Sequence, residues 1–303
     1  MIRASSLILI SASFLTISQS RAAIFGDPVM LLGPHAQSVG GALYSLKSTH
    51  DSLLLNPAAG AFTKEYSFDG TFSTAARTLS ASLFDTNTTE WGAGLVYVRR
   101  EIESSDANER PVMAGTLPMT YQFFSLSVFG KLSDNFSVGL TGHYTIREAT
   151  GTAKQDKSTF NGDIGALYKV SDQGAIGVVF KNLLSDKNNV EMRSIAGGAH
   201  YVVYPGVTLT ASLEKYSETS SSTNVVIPLP SKMVWAAGAE YTHESGASVR
   251  AGYRDAAQWD TQWAFGGLGY KHEQVTVNYT LAAVVGGNSD KFNTHTFGLA
   301  LKF

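Results

Sequence analysis

The stretch FSVGLTGHYTI, Phe136 to Ile146, decides the fold. Phe136, Val138, Leu140, Tyr144 and Ile146 fall on one face, while Ser137, Thr141, His143 and Thr145 fall on the other. An amphipathic helix needs an apolar period near 3.6 residues; a strand with one apolar and one polar side repeats every second residue. The stretch therefore reads as a strand that is apolar on one side only.

The same alternation returns from about residue 66 to the end. Phe297, Leu299, Leu301 and Phe303 oppose Thr296, Gly298, Ala300 and Lys302, and Val207, Leu209, Ala211 and Leu213 oppose Thr208, Thr210, Ser212 and Glu214. Residues 232–242 and 273–283 read alike. Segment counting gives about fourteen strands, near 65–73, 78–85, 90–100, 119–132, 135–147, 159–170, 174–182, 192–204, 206–216, 232–243, 246–254, 261–272, 274–285 and 293–303.

A soluble sandwich also alternates, so the connections decide between the two. Alternate breaks are tight: SDN at Ser133, SDQG at Ser171, YPG at Tyr204, HESG at His243 and KHEQ at Lys271. The intervening ones are long and polar, for example REIESSDANERPVMAGTLP from Arg100 and KYSETSSSTNVVIPLP from Lys215, with RDAAQWDT from Arg254 as another. Short turns at one end and long loops at the other are the mark of an outer-membrane barrel, the short side being periplasmic. Aromatics near the ends of the apolar face, Trp91, Tyr97, Trp235, Tyr241, Tyr253, Trp263 and Tyr279, read as the interfacial girdle. An even strand count puts both barrel termini in the periplasm, and the terminal Phe303 resembles the C-terminal strand signal of barrel-assembly clients. The expected fold is all-β: a transmembrane antiparallel β-barrel of about 14 strands in the bacterial outer membrane.

Composition agrees. The 303 residues include 29 glycines and many Tyr and Phe, and only 16% are charged, a mix that favours strands and turns. A net charge of −2 supplies no basic field for nucleic acid. The absence of cysteine removes disulfides, thiolate nucleophiles and cysteine metal sites together. At the N-terminus, Arg3, the apolar stretch from Leu7 to Ile17 and the Ser20-Arg21-Ala22 cleavage pattern read as a signal peptide over residues 1–22. After it, no apolar run approaches the 18 or so residues a spanning helix needs.

Residues 23–64 break the alternation. LLGPHAQSVGGALYSLKSTHDSLLLNPAAGAF, from Leu31, is too apolar for a free tail, because Leu31, Leu32, Leu43, Leu46 and Leu53 to Leu55 would each forgo burial worth about 1.5–3 kcal/mol. The segment is expected inside the barrel, as a plug preceding a barrel over 65–303, with Asn56-Pro57 stopping the local structure before the first strand.

Within that segment, Gly33, then Ser38-Val39-Gly40-Gly41-Ala42, then Asp51-Ser52, then Asn56-Pro57-Ala58 resemble the region before the first strand of FadL-type outer-membrane transporters of hydrophobic compounds and of PorV/PorQ-type barrels. The chain differs in carrying His50-Asp51 where that family often has two acidic residues. The resemblance implies a fourteen-stranded barrel plugged by this segment, with Gly40, Gly41, Asp51, Asn56 and Pro57 as its plug motif. It implies passive transport of small hydrophobic, fatty-acid-like molecules, gated by the plug. The alternative it carries is a non-transporting barrel that docks an envelope or secretion partner.

The alternation assigns Asp69, Arg147, Asp163, Lys169, Glu214, Glu240, Arg250 and Arg254 to the lumen, where pairing with one another explains them best, because buried unpaired charge is costly. Val96, Val98, Phe123 and Phe129 also face inward, and apolar residues in a lumen mark either a ligand pocket or a contact with Leu53, Leu54 and Leu55. Seven histidines without paired spacing give no metal site, and neither His143 nor His200 has a sequence neighbour that compels a catalytic triad. Neither an enzyme nor a cofactor is expected. The expected partners are outer-membrane lipid, a hydrophobic small molecule and, on the alternative reading, an envelope protein.

Overall fold

The computed structural model describes residues 27–46, 50–102, 119–149, 157–185, 192–217, 233–287 and 293–303. The expected signal peptide lies outside these residues, as does most of five of the six long polar connections. Fourteen strands form: β1 Tyr66–Ser73, β2 Thr78–Asp85, β3 Gly92–Ile102, β4 Met119–Lys131, β5 Phe136–Ala149, β6 Lys157–Lys169 and β7 Gly174–Lys181. They continue as β8 Ser194–Tyr204, β9 Val207–Tyr216, β10 Met233–Thr242, β11 Ala247–Ala256, β12 Thr261–His272, β13 Val275–Gly287 and β14 Asn293–Lys302. Each pairs antiparallel with its neighbours in sequence, and β1 closes on β14 from Ser67↔Lys302 to Ser73↔Thr296. Closure leaves no free sheet edge, which is what a wall in hydrocarbon requires.

The period-two faces become the two sides of that wall. On the outside, Leu140 and Phe160 are each 61% exposed, and dozens of other large apolar side chains stand exposed with them. Soluble proteins rarely leave apolar patches beyond a few hundred Å² uncovered, so this belt is a lipid-facing surface. Tyr66, Trp91, Tyr168, Tyr201, Tyr241, Tyr270 and Phe303 ring its short-turn end. On the inside, all eight charged positions assigned to the lumen face inward.

Two local expectations are corrected. Trp263 is fully buried in the lumen beside Phe265, with ring centroids 6.1 Å apart, and is not part of the girdle. Leu268 and Tyr270 on the same strand are exposed, so parity puts odd-numbered residues inside. RDAAQWDT is not a long loop: β11 runs to Ala256, and a single 3-10 turn, Ala257–Trp259, leads through Asp260 in the left-handed region into β12. Its first residue, Arg254, is a lumen side chain whose partner lies inside the barrel.

The segment before β1 fills the lumen. A 3-10 turn at Pro28–Leu31 leads into helix α1, Pro34–Ser38; after a turn through Gly40 and Gly41 come α2, His50–Leu55, and a 3-10 helix at Pro57–Phe62. Among the described residues, no helix is long and apolar enough to cross a membrane. The apolar core lies between this plug and the inner wall, not within a sheet sandwich. Wall glycines set the close approach: a Cβ at Gly139 would come 2.7 Å from the Ala58 backbone nitrogen, and one at Gly238 would come 2.8 Å from the Val39 Cα.

Candidate functional site

The plug motif is a set of local bonds that shape the plug. Helix α1 is a single turn and cannot satisfy its own first N–H groups. The Asp51 carboxylate does so from α2, accepting from the Gly33 N–H at 2.7 Å and the Ala36 N–H at 3.2 Å. This is the job of a capping side chain, supplied from the next helix. Gly40 and Gly41 have φ of +71° and +79°, and the Gly41 N–H closes α1 by donating to the Ala36 carbonyl at 2.8 Å. That left-handed turn is open to glycine and strained for other residues.

Asn56 ends one helix and starts the next. Its Oδ1 accepts from the Ala58 N–H at 3.2 Å, with Pro57 at the first helical position, where its missing N–H costs nothing. Its Nδ2 donates to the Tyr44 carbonyl at 2.8 Å and to the Ala166 carbonyl of β6 at 3.1 Å. One side chain thus joins both halves of the plug to the wall.

The apolar lumen positions come together as one cluster. Val96, Val98 and Phe129 pack with Leu53, and Leu54 and Phe123 flank them. Leu31, expected to be buried, completes the group with Phe84 of β2 and Ala61, which were not singled out from sequence; the Phe84 and Phe129 rings stack at 5.3 Å. Leu55 instead points the other way, into a second cluster with Leu43, Tyr44 and Val179. Phe84, Val98 and Phe129 are 0% exposed, so no water-sized space adjoins them. Leu31, Leu54 and Phe123 keep partial exposure.

The opposite side of the lumen is charged. Arg254 Nε donates to Asp27 Oδ2 at 2.8 Å, with both side chains buried. Glu214 accepts from the Tyr44 hydroxyl at 2.9 Å and from Ser194 Oγ at 2.7 Å, with Lys181 and Arg254 within 4.0 Å. Lys181 also lies over the Tyr44 ring, 4.9 Å from its centroid. Nearer the short-turn end, Glu240 is held by His35 at 2.7 Å and by Arg250 Nε at 3.0 Å, and Arg250 donates to Asn278 at 3.0 Å. Pairing accounts for Glu214, Glu240, Arg250 and Arg254, but with the plug as partner as much as with one another. Asp27, His35, Tyr44 and Lys181 were not anticipated; 227 residues separate Asp27 from Arg254, and no sequence signal links them.

A cavity of about 430 Å³ lies at the short-turn end, lined by His50, Asp51, Asp69, Glu240 and Arg250 together with Pro34, Phe62 and Leu299 among others. Among the described residues, no group of three potential metal ligands occurs.

No family model matches the chain, and no curated protein matches it in sequence. Solved structures do match in fold. The toluene transporter TbuX of Ralstonia pickettii superposes with a TM-score of 0.68 at 12% identity, over 91% of this chain and 98% of that one. The monoaromatic hydrocarbon channel CymD gives 0.67 at 13% identity, over 91% and 98%. A FadL homologue of Pseudomonas aeruginosa gives 0.65 at 13% identity, over 90% and 98%. The chain has the fold of the FadL-type barrels.

Proposed function

We propose that this chain is a passive channel of the bacterial outer membrane for small hydrophobic molecules, with both barrel termini periplasmic. The observation that carries the reading is the apolar cluster in the lumen, Val96, Val98, Phe123 and Phe129, because the lumen of a general porin is polar. Leu53 of the plug occupies that cluster, so the cargo and α2 compete for one place. Cargo enters from the long-loop end, lodges against Phe123, and displaces α2 on its way to the wall or to the cavity at the short-turn end. Neighbours of like fold that carry toluene and monoaromatic hydrocarbons support the cargo class. The reading is non-enzymatic, and its partners are membrane lipid and cargo.

The test is uptake of labelled toluene and of labelled decanoate by cells expressing Phe123→Asp, and separately Phe129→Asp. A carboxylate in the cluster abolishes uptake on this reading, whereas normal uptake by the Phe123 variant overturns it. The zero exposure of Phe84, Val98 and Phe129 favours one other reading, a sealed barrel that transports nothing and docks an envelope protein. That reading predicts no uptake by the wild type and a stoichiometric partner on purification.

A further inference from the structure

Ser125 Oγ and His143 Nδ1 are buried in the lumen wall without a hydrogen-bond partner. Ser125 of β4 stands directly opposite His143 of β5, and their side chains share the inner face at 3% and 4% exposure. Inward hydroxyls that meet the plug are satisfied: Ser137 donates to the Ala58 carbonyl, Thr280 to the Pro34 carbonyl and Thr296 to Gln37. The hydroxyls of Ser82, Thr159, Thr261 and Thr294 are open as well, but Ser125 and His143 are two such groups directly opposite each other on neighbouring strands. Buried polar atoms are nearly always paired, so a pair left open points to a group that is not part of the chain.

The surroundings define that group. Leu53 covers Gly94, and the Ser125–His143 pair lies in the next register row toward the long-loop end, alongside Val96. The Phe123 ring packs at a tilt against the His143 ring, with centroids 5.1 Å apart, and keeps partial exposure, as does Leu54. The pair thus lies beside the apolar cluster, one row toward the long-loop end. His143 Nε2 faces Asp163 Oδ1 at 3.5 Å, and with the ring proton on that nitrogen Nδ1 is an acceptor.

We propose that this pair recognises the head group of the cargo, and that the cargo is an apolar molecule bearing one hydroxyl, a phenol or an alkanol. The proposal rests on the hydrophobic-channel reading and names its substrate class. The cargo hydroxyl donates to His143 Nδ1 and accepts from Ser125 Oγ, while its hydrocarbon part lies on Phe123 and Leu54, which keep partial exposure. A pure hydrocarbon leaves both polar atoms unpaired, and a carboxylate meets a lone pair with Asp163 close behind. Ser125, His143 and Asp163 are also the residue types of a hydrolytic triad. The backbone amides of β4 and β5 are committed to the sheet, so none is free to hold an oxyanion, and the geometry fits binding rather than acyl transfer.

The test compares 4-ethylphenol with ethylbenzene, binding to the full-length barrel in nanodiscs against empty discs. After correction for partition into lipid, the wild type should prefer the phenol by at least about tenfold, because a site built to bond a hydroxyl discriminates against the analogue without it. Ser125→Ala and His143→Phe should each collapse that preference by lowering binding of the phenol. Ser82→Ala, two strand spacings or about 10 Å away, should leave the preference intact. Equal binding of both probes to the wild type, or an undiminished preference in the conservative Ser125 variant, overturns the head-group site alone. Binding of neither probe overturns it together with the channel reading.

Discussion

Residues 27–46 and residues 50–62 meet the same barrel by different means. The first segment is fastened to β9, β10 and β11 by polar contacts to charged side chains: Asp27 to Arg254 and Tyr44 to Glu214, both buried, and His35 to Glu240, part-buried. The second lies against β2–β6 through Leu53, Ala58 and Ala61, with the Asn56–Ala166 and Ser137–Ala58 hydrogen bonds as directional ties to the wall. Charge pairs fix position, and separating them strands an ion in a low-dielectric interior. Apolar contacts are non-directional and can be exchanged for contacts with another apolar body. The difference teaches which half can yield to a hydrophobic molecule: α2 and the 3-10 helix after it, while the first segment stays. What α2 gives up on moving is mainly its Asp51 cap on α1.

Substitutions can break that contrast from either side. Arg254→Ala leaves Asp27 and Glu214 without their guanidinium, and about 3–5 kcal/mol of stability should go with it. In planar bilayers the same variant should raise ion conductance, since the anchored half is the one released. Leu53→Ala removes the fully buried plug residue from the apolar cluster at a cost of about 2–5 kcal/mol, read by thermal unfolding. It should nevertheless raise hydrophobic uptake, because it vacates the space that cargo needs; lowered uptake would put the occupant of that cluster in doubt. Asp51→Asn weakens a charge-assisted cap worth about 1.5–3 kcal/mol and should loosen α2 from α1, seen as faster amide exchange over Gly33 to Ser38. The smallest effect belongs to His35→Ala, about 1 kcal/mol or less, because that pair is part-exposed and Arg250 still holds Glu240.

The contrast also explains how far sequence could lead. Alternation such as that of Phe136 to Ile146 carries strand position, facing and, through loop lengths, sidedness, and the fourteen strands appear within about three residues of their expected bounds. The same parity brought Val96, Val98, Phe123 and Phe129 to one side of the lumen before any coordinates. It failed where hydrophobicity was allowed to outvote parity, at Trp263, which is apolar and inward. The ion pairs were half legible: inward charges could be counted, but partners such as Asp27 and Arg254 meet only after the chain has passed around the whole barrel. Asp51 and Asn56 stood out by resemblance to a family, yet their roles as a remote cap and a bridge between plug and wall depend on helix placement. The open Ser125–His143 pair was invisible for the opposite reason, since a missing partner leaves no trace in sequence.

The chain has no cysteine, so a single engineered disulfide can lock either half of the plug without interference. L53C with G94C ties α2 to β3 where Leu53 lies against the wall, and V39C with G238C ties the first segment to β10 as the control. Toluene uptake should stop when the first pair is oxidised, return on reduction, and be indifferent to the control lock. Undiminished uptake with α2 fastened to β3 would contradict the account, because cargo would then be crossing a barrel whose plug never moves.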